Sequence, residues 1–160
     1  MDKGRFGRQD RLIKEKQNDV YFDRHKYSEP TLCTTCNSLY LHGRWTWETT
    51  DQSVNKAVCP ACKRIIDNYP AGTIEITGSF FKEHEDDLTN LIFNIEKQEK
   101  MAHALERIIE ITHKRGITII TTTGIHLARR IGEALSRSYK GNLSFRYLDA
   151  DKGIRVSWER

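Results

Sequence analysis

Cys33-Thr34-Thr35-Cys36 and Cys59-Pro60-Ala61-Cys62 are the stretches on which the fold turns, and they hold every cysteine of the 160-residue chain. Each C-x-x-C loop sets two thiolates on one side of a tight turn, as two corners of a tetrahedron. Two such loops complete a four-cysteine zinc site with Zn–S bonds of roughly 2.3 Å. The interval from Cys36 to Cys59 is long enough for a hairpin, as in a zinc ribbon. Pro60 stiffens the second loop, and Lys63 and Arg64 follow it, offsetting part of the thiolate charge. The competing reading is a pair of redox dithiols or disulfides; the paired spacing and a reducing cytosol weigh against it. Sulfur fills every position of the tetrahedron, so the expected cofactor is one structural Zn2+ closed to water and substrate. His42 is not needed as a ligand.

Working outward, residues 31–70 read as a four-cysteine zinc-ribbon module. Leu39 to Trp47 is β structure interrupted near Gly43, and Trp45 and Trp47 share a strand face if the segment is extended. Beside Arg44 they are candidates to stack on unpaired bases, each worth roughly 1–3 kcal/mol. They are equally candidates to cover the ribbon's small core or to dock it on its neighbour. Residues 1–30 are polar, with Lys3, Arg5, Arg8, Arg11, Lys14 and Lys16 among a few acids, and read as a basic flexible arm, with helix open from Arg11 to Tyr21, that either orders on RNA or is only a solubilising tail.

Residues 71–160 read as one α/β sandwich domain. Pro70-Ala71-Gly72 marks the boundary, and Ile74 and Ile76 alternate as a short strand. A helix then puts Leu88, Leu91, Ile92 and Ile95 on one face, with Glu83, Glu85, Asp86 and Asp87 near its start, where the helix dipole favours them. A second helical stretch carries Met101, Leu105, Ile108, Ile109 and Thr112, ending at His113-Lys114-Arg115-Gly116. Ile117 to Thr122 is a β-branched strand. A third helix to Tyr139 turns Leu127, Ile131, Ala134, Leu135 and Ser138 inward. Leu143, Phe145 and Tyr147, then Ile154, Val156 and Trp158, form a hairpin about Asp149-Ala150-Asp151-Lys152-Gly153. The expected class is α+β: a zinc ribbon followed by a two-layer sandwich in the order β-α-α-β-α-β-β.

That third helix presents His126, Arg130, Glu133 and Arg137 as a row, flanked by Arg129. Thr122 and Thr123, with Gly124, precede it and offer hydroxyls and backbone N–H groups at the positive helix end, a phosphate-binding arrangement. Ordinary capping by threonine and salt bridges from the arginines to the acidic first helix are the plain alternative. Net charge is only +4, but it is segregated. Lys114 to Lys140 holds six Lys and Arg against Glu133 alone, while Phe81 to Glu99 holds six acids against Lys82 and Lys97. Such a positive face suits a polyanion.

Several classes are excluded by pattern. No apolar run approaches a membrane span and the N-terminus carries no hydrophobic signal core, so a cytoplasmic protein without membrane contact is expected. No phosphate-binding loop, dinucleotide fingerprint, zinc-protease helix or nucleophile elbow occurs. Once zinc is bound no cysteine remains as a nucleophile, and no enzymatic activity is expected.

Glu29-Pro30-Thr31-Leu32-Cys33 through Cys36, Gly43-Arg44-Trp45-Thr46-Trp47, Cys59 through Cys62, Asp67-Asn68-Tyr69-Pro70-Ala71-Gly72 and Thr121 through Gly132 together resemble a group of small bacterial zinc-ribbon proteins. More distantly, the knuckles and the threonine-to-arginine segment resemble the nonsense-mediated decay protein three family, the large-subunit export adaptor. The resemblance implies Cys33, Cys36, Cys59 and Cys62 as zinc ligands and binding to ribosomal RNA or a ribosomal subunit without catalysis. This chain has one set of four cysteines where the adaptor has more, and no room for its additional barrel.

The expected function is a zinc-containing RNA-binding or ribosome-associated factor. Its contact residues would be Arg44, Trp45, Trp47, Lys63, Arg64, Thr122, Thr123, His126, Arg129, Arg130 and Arg137. The alternative is a protein–protein adaptor anchored by the two tryptophans. Chelation is expected to melt the ribbon and leave the α/β domain folded.

Overall fold

The computed structural model describes residues 27–148 and 153–160. The arm expected over residues 1–30 lies outside them up to Lys26, as does the turn Asp149–Lys152. No helix among the described residues is long and apolar enough to cross a membrane.

The fold is α+β with two sheets. The first is four-stranded, with β1 (Thr31–Cys33), β2 (Leu39–Leu41), β3 (Arg44–Thr46) and β4 (Asn55–Ala57) in the order β3-β2-β1-β4. The β2–β3 connection is His42-Gly43, both at positive φ, 55° and 78°, as a two-residue hairpin of the primed type requires. Helix α1 (Pro60–Asp67) closes this unit.

The second sheet has β5 (Gly72–Thr77), β6 (Ile108–Lys114), β7 (Ile117–Thr122), β8 (Asn142–Leu148) and β9 (Gly153–Glu159) in the order β6-β7-β5-β9-β8. β5 is central, antiparallel to β7 and parallel to β9. A short helix α2 (Phe80–Glu83) leads into α3 (Glu85–Ala102), and α4 (Ile125–Tyr139) follows β7. Leu88 and Ile92 of α3, and Leu127, Ile131 and Leu135 of α4, close over Ile74, Ile76, Ile120, Ile154, Val156 and Trp158. The stripe read from α3 and that of β9 are therefore in place, and on β8 Leu143 and Tyr147 pack against the core while Phe145 is exposed. On α4, Ala128 and Gly132 line the buried face with Leu127, Ile131 and Leu135, while Ser138 is exposed.

One expected element is different. The second helix of the domain does not exist; α3 runs to Ala102, and Ile108–Lys114 is strand β6. The element order is therefore β-α-α-β-β-α-β-β, with α2 the extra short helix. Two causes are visible. Arg115 and Gly116 both take positive φ, 55° and 76°, and join Lys114 to Ile117 as a tight hairpin. A register shift between Ile108 and Glu110 inserts an extra residue, and this bulge breaks the strict alternation that marks a strand.

Candidate metal centre

The two C-x-x-C segments fold differently, and each difference serves the sulfurs. After Cys33 the chain reverses through Asn37 at φ 63°, with Asn37 N–H donating to Cys33 O and Cys33 N–H to Ser38 O, at 3.0 and 2.8 Å. The second segment is a helix start. Cys59 is the N-cap of α1, its Sγ accepting from Cys62 N–H at 3.4 Å, and Pro60 occupies the first turn, where its missing N–H costs nothing. Cys59 N–H in turn donates to Cys33 Sγ at 3.3 Å. Sulfur here accepts from backbone amides and from the positive end of a helix, both of which favour thiolate.

The four Sγ atoms lie within 4.8 Å of one another. Cys33–Cys62 and Cys36–Cys59 are each 3.8 Å apart. A tetrahedron with metal–sulfur bonds of about 2.3 Å has edges of about 3.8 Å, whereas a disulfide would bring two sulfurs to about 2.0 Å. All four thiols are free, three buried and Cys36 half-buried. The residues fit a single metal ion held by protein sulfur alone.

A fifth residue completes the cluster, and no motif in the sequence marks it. Arg107, at the entry to β6, reaches into the sulfurs. Its Nη1 donates to Cys62 Sγ at 3.1 Å, and its Nη2 to Cys36 Sγ at 3.0 Å and Cys59 Sγ at 3.6 Å. Nε donates to Ala104 O at 2.9 Å, and the Trp47 ring lies 5.5 Å from the guanidinium carbon. The side chain is buried, so the cation has exchanged water for sulfur.

The electrostatics follow. Burial opposes ionisation of Cys36, but the bonds to Ser38 and the Arg107 charge outweigh it and hold its pKa down at about 6. Burial likewise opposes the Cys33 thiolate, and the amides of Cys59, Cys36 and Thr35 overcome it and lower its pKa. Burial prevails at Cys59 and Cys62 and pushes both thiols up, Arg107 opposing only in part. For Arg107, burial works against the charge and the sulfurs of Cys59, Cys62 and Cys36 restore it, so it stays a cation.

The other candidate residues are placed as follows. Trp45 is 8% exposed, packed with Tyr27 and Tyr40 at ring separations of 5.1 and 5.5 Å, and belongs to the ribbon's core. Trp47 docks the ribbon on its neighbour: its Nε1–H donates to Lys100 O at 2.6 Å, and Lys100 and Arg107 lie over its ring. Of the roles open to the tryptophans, the structure adopts core and interface. Arg64 is buried, with Nη1 donating to Tyr69 O at 3.0 Å. Arg44 is exposed on β3 and Lys63 is half-exposed on α1.

The threonine loop is not open. Thr122 is buried with its hydroxyl donating to Gly124 O at 2.8 Å, and Thr123 Oγ1 donates to Leu105 O at 2.6 Å while accepting Arg107 N–H at 2.8 Å. The helix end that sequence offered to a phosphate is held by Glu106, whose Oε2 accepts Leu127 N–H at 3.1 Å. A Cβ at Gly124 would lie 2.0 Å from that carboxylate, so glycine is what lets the acid approach. Thr122 and Thr123 are therefore corrected from ligand contacts to internal supports.

On the outer face of α4, His126, Arg130 and Arg137 are exposed and Arg129 is half-buried. Arg130 pairs with the buried Glu99 of α3. Arg129 pairs with Glu133 at 3.0 Å and donates to Tyr147 Oη at 3.1 Å. Of the salt bridges expected to the acidic first helix, Arg130 forms one, while Arg129 pairs within its own helix.

No protein-family model matches this chain, and no curated protein or solved structure matches it either.

Proposed function

We propose that the chain is a non-enzymatic zinc protein that binds RNA or associates with a ribosomal subunit. The observation that carries this reading is the closure of the sulfur cluster. Four protein sulfurs within 4.8 Å of one another would fill the tetrahedron of a bound ion and Arg107 lies against three of them, which would leave no position for water or substrate. Zinc in such a site would supply shape rather than chemistry, and shape without catalysis is what a binding factor needs. All-thiolate tetrahedral coordination favours zinc among common divalent ions.

The polyanion part rests on charge. Arg44 and Arg137 are exposed and make no ion pair among the described residues, and the half-exposed Lys63 adds to the positive surface. The ribosome as the particular target rests on the resemblance to the export-adaptor family. Burial of Trp45 and the bond from Trp47 to Lys100 weigh against both tryptophans as anchors of a protein–protein adaptor, and equally against their stacking on bases.

The test is co-sedimentation of the zinc-loaded protein with ribosomal particles across a salt series. Comigration with one subunit, lost steeply as salt rises, is expected. Protein that stays at the top of the gradient even at low salt would sink the ribosomal reading.

A further inference from the structure

We propose that Arg107 is a working member of the metal centre, and that through it metal occupancy governs how the two sheets dock. This goes beyond the RNA-binding reading and rests only on the cysteines being a metal site.

Four thiolates around a divalent ion carry a net charge of −2, and a guanidinium against three of the sulfurs brings the cluster to −1. Arg107 is placed for nothing else. Its Nε is bonded to Ala104 O and both terminal nitrogens face sulfur. Its backbone is fixed on both sides, N–H donating to Thr123 Oγ1 and C=O accepting Thr123 N–H, each at 2.8 Å. Without a metal, only backbone amides, Ser38 and Arg107 itself hold the sulfurs, and the acceptors of the buried cation are no longer fixed by a shared ion. Proteins avoid that state by moving the charge to water.

Moving Arg107 cannot be a local event. The residue lies 6% exposed beneath Trp47, and Ala104 and Leu105 pack in the ribbon's interior beside Cys33, Cys59 and Cys62. Releasing the guanidinium therefore opens the seam between the four-stranded unit and the loop from His103 to Arg107. The preceding residue carries the effect onward. Glu106 holds the N-terminus of α4 through Leu127 N–H, so the same short loop grips the sulfur cluster with one side chain and a helix end with the next. Sulfur cluster, loop and helix start form one connected unit.

The experiment uses the full chain, loaded with zinc and, for spectroscopy, with cobalt(II). Amide exchange is followed with and without a chelator in the wild type, and metal release is timed in wild type, Arg107→Gln and Arg107→Lys. In the wild type, chelation should lower protection of the Leu127 and Thr123 amides at least tenfold while the Ile120 amide keeps its protection. Arg107→Gln should release metal at least tenfold faster and shift the cobalt thiolate charge-transfer band, because the sulfurs lose a cationic donor. Arg107→Lys, which keeps the charge, should recover part of both. Unchanged protection at Leu127 and Thr123 after chelation would overturn the proposal even if Arg107→Gln fails to fold. A folded Arg107→Gln that holds metal like the wild type, with the same cobalt band, would overturn it too. Failure of the metal reading itself looks different: a reduced wild type that takes up neither zinc nor cobalt.

Discussion

The four-stranded and five-stranded units solve the problem of a dry interior by different means. Strands in the first are three residues long, and its interior is Cys33, Trp45, Cys59, Ala61 and Cys62, with Tyr27, Tyr40 and Trp47 against them. Strands in the second run to six or seven residues over a continuous aliphatic layer. Apolar burial offsets chain entropy only when there is enough of it, and a unit as small as the first falls short without a cross-link. A metal ion held by the four sulfurs would supply that cross-link. Where the units meet, Arg107 and Trp47 belong to both, so the sulfur-centred unit and the aliphatic one share a seam rather than a free linker.

The strongest way to break this comparison is at a ligand. Cys59 is at once a sulfur donor, the N-cap of α1 and a fully buried residue. Cys59→Ser should abolish metal binding and unfold the four-stranded unit, because a structural zinc contributes about 10–16 kcal/mol of apparent folding free energy in small modules. Two-dimensional NMR should lose the dispersed signals of β1 to β4 while those of β5, β7 and β9 remain. Loss of both sets together would mean that the two units fold as one.

The converse change belongs in the aliphatic layer. Ile131 is fully buried at the middle of α4, and Ile131→Ala should cost about 2–5 kcal/mol through lost burial and the cavity left behind. A urea titration followed by near-ultraviolet signals from Trp158, itself in that core, should move to lower midpoint. Under native conditions the metal should be retained as in the wild type. A smaller effect of opposite steric sign is expected at Gly132, where a Cβ would sit 2.6 Å from Val156 Cγ1 and 3.1 Å from Leu143 Cδ1. Gly132→Ala should cost about 1–3 kcal/mol by overpacking, although alanine is the better helix former.

How much of this was legible in the chain depended on how far each signal reaches. The sulfur set is written within two four-residue windows, and the stripes of α3 and of β9 repeat at short intervals, so local pattern finds them. Ile108, Ile109 and Thr112 satisfy a helical period and a strand composition equally. The Arg115-Gly116 hairpin and the bulge decide between them, and the bulge arises only when β6 pairs with β7. Arg107 and Glu106 escaped for a stronger reason. Their partners lie far along the chain, 71 residues in the case of Cys36 and 21 in that of Leu127. The one available hint was a Glu-Arg pair opening a β-branched run, with Gly124 ahead of a helix that lacks its own side-chain cap.

The least destabilising test sharpens the comparison at the surface. Reversing Arg129 and Arg130 is a poor probe of RNA contact, because Arg130 neutralises Glu99, whose side chain is only 7% exposed, and removing it strands a buried carboxylate. Arg44 and Arg137 are free of that defect and sit one on each unit, on β3 and α4. Arg44→Glu should change stability by no more than about 0.5 kcal/mol, as surface substitutions do, and Arg137→Glu by about 1 kcal/mol, because Arg137 stands in the last turn of α4, where the helix dipole favours a cation. Fluorescence anisotropy with a labelled single-stranded RNA would then read each unit's share of binding. Loss of one phosphate contact should flatten the salt dependence by about 0.7 in the log–log slope. A loss from both variants places RNA across the seam that Arg107 holds, and chelation should then weaken binding through docking as well as through the ribbon. A loss from Arg137→Glu alone leaves the ribbon as a support for the helix face. If neither variant alters affinity or slope, these two arginines are not where RNA binds.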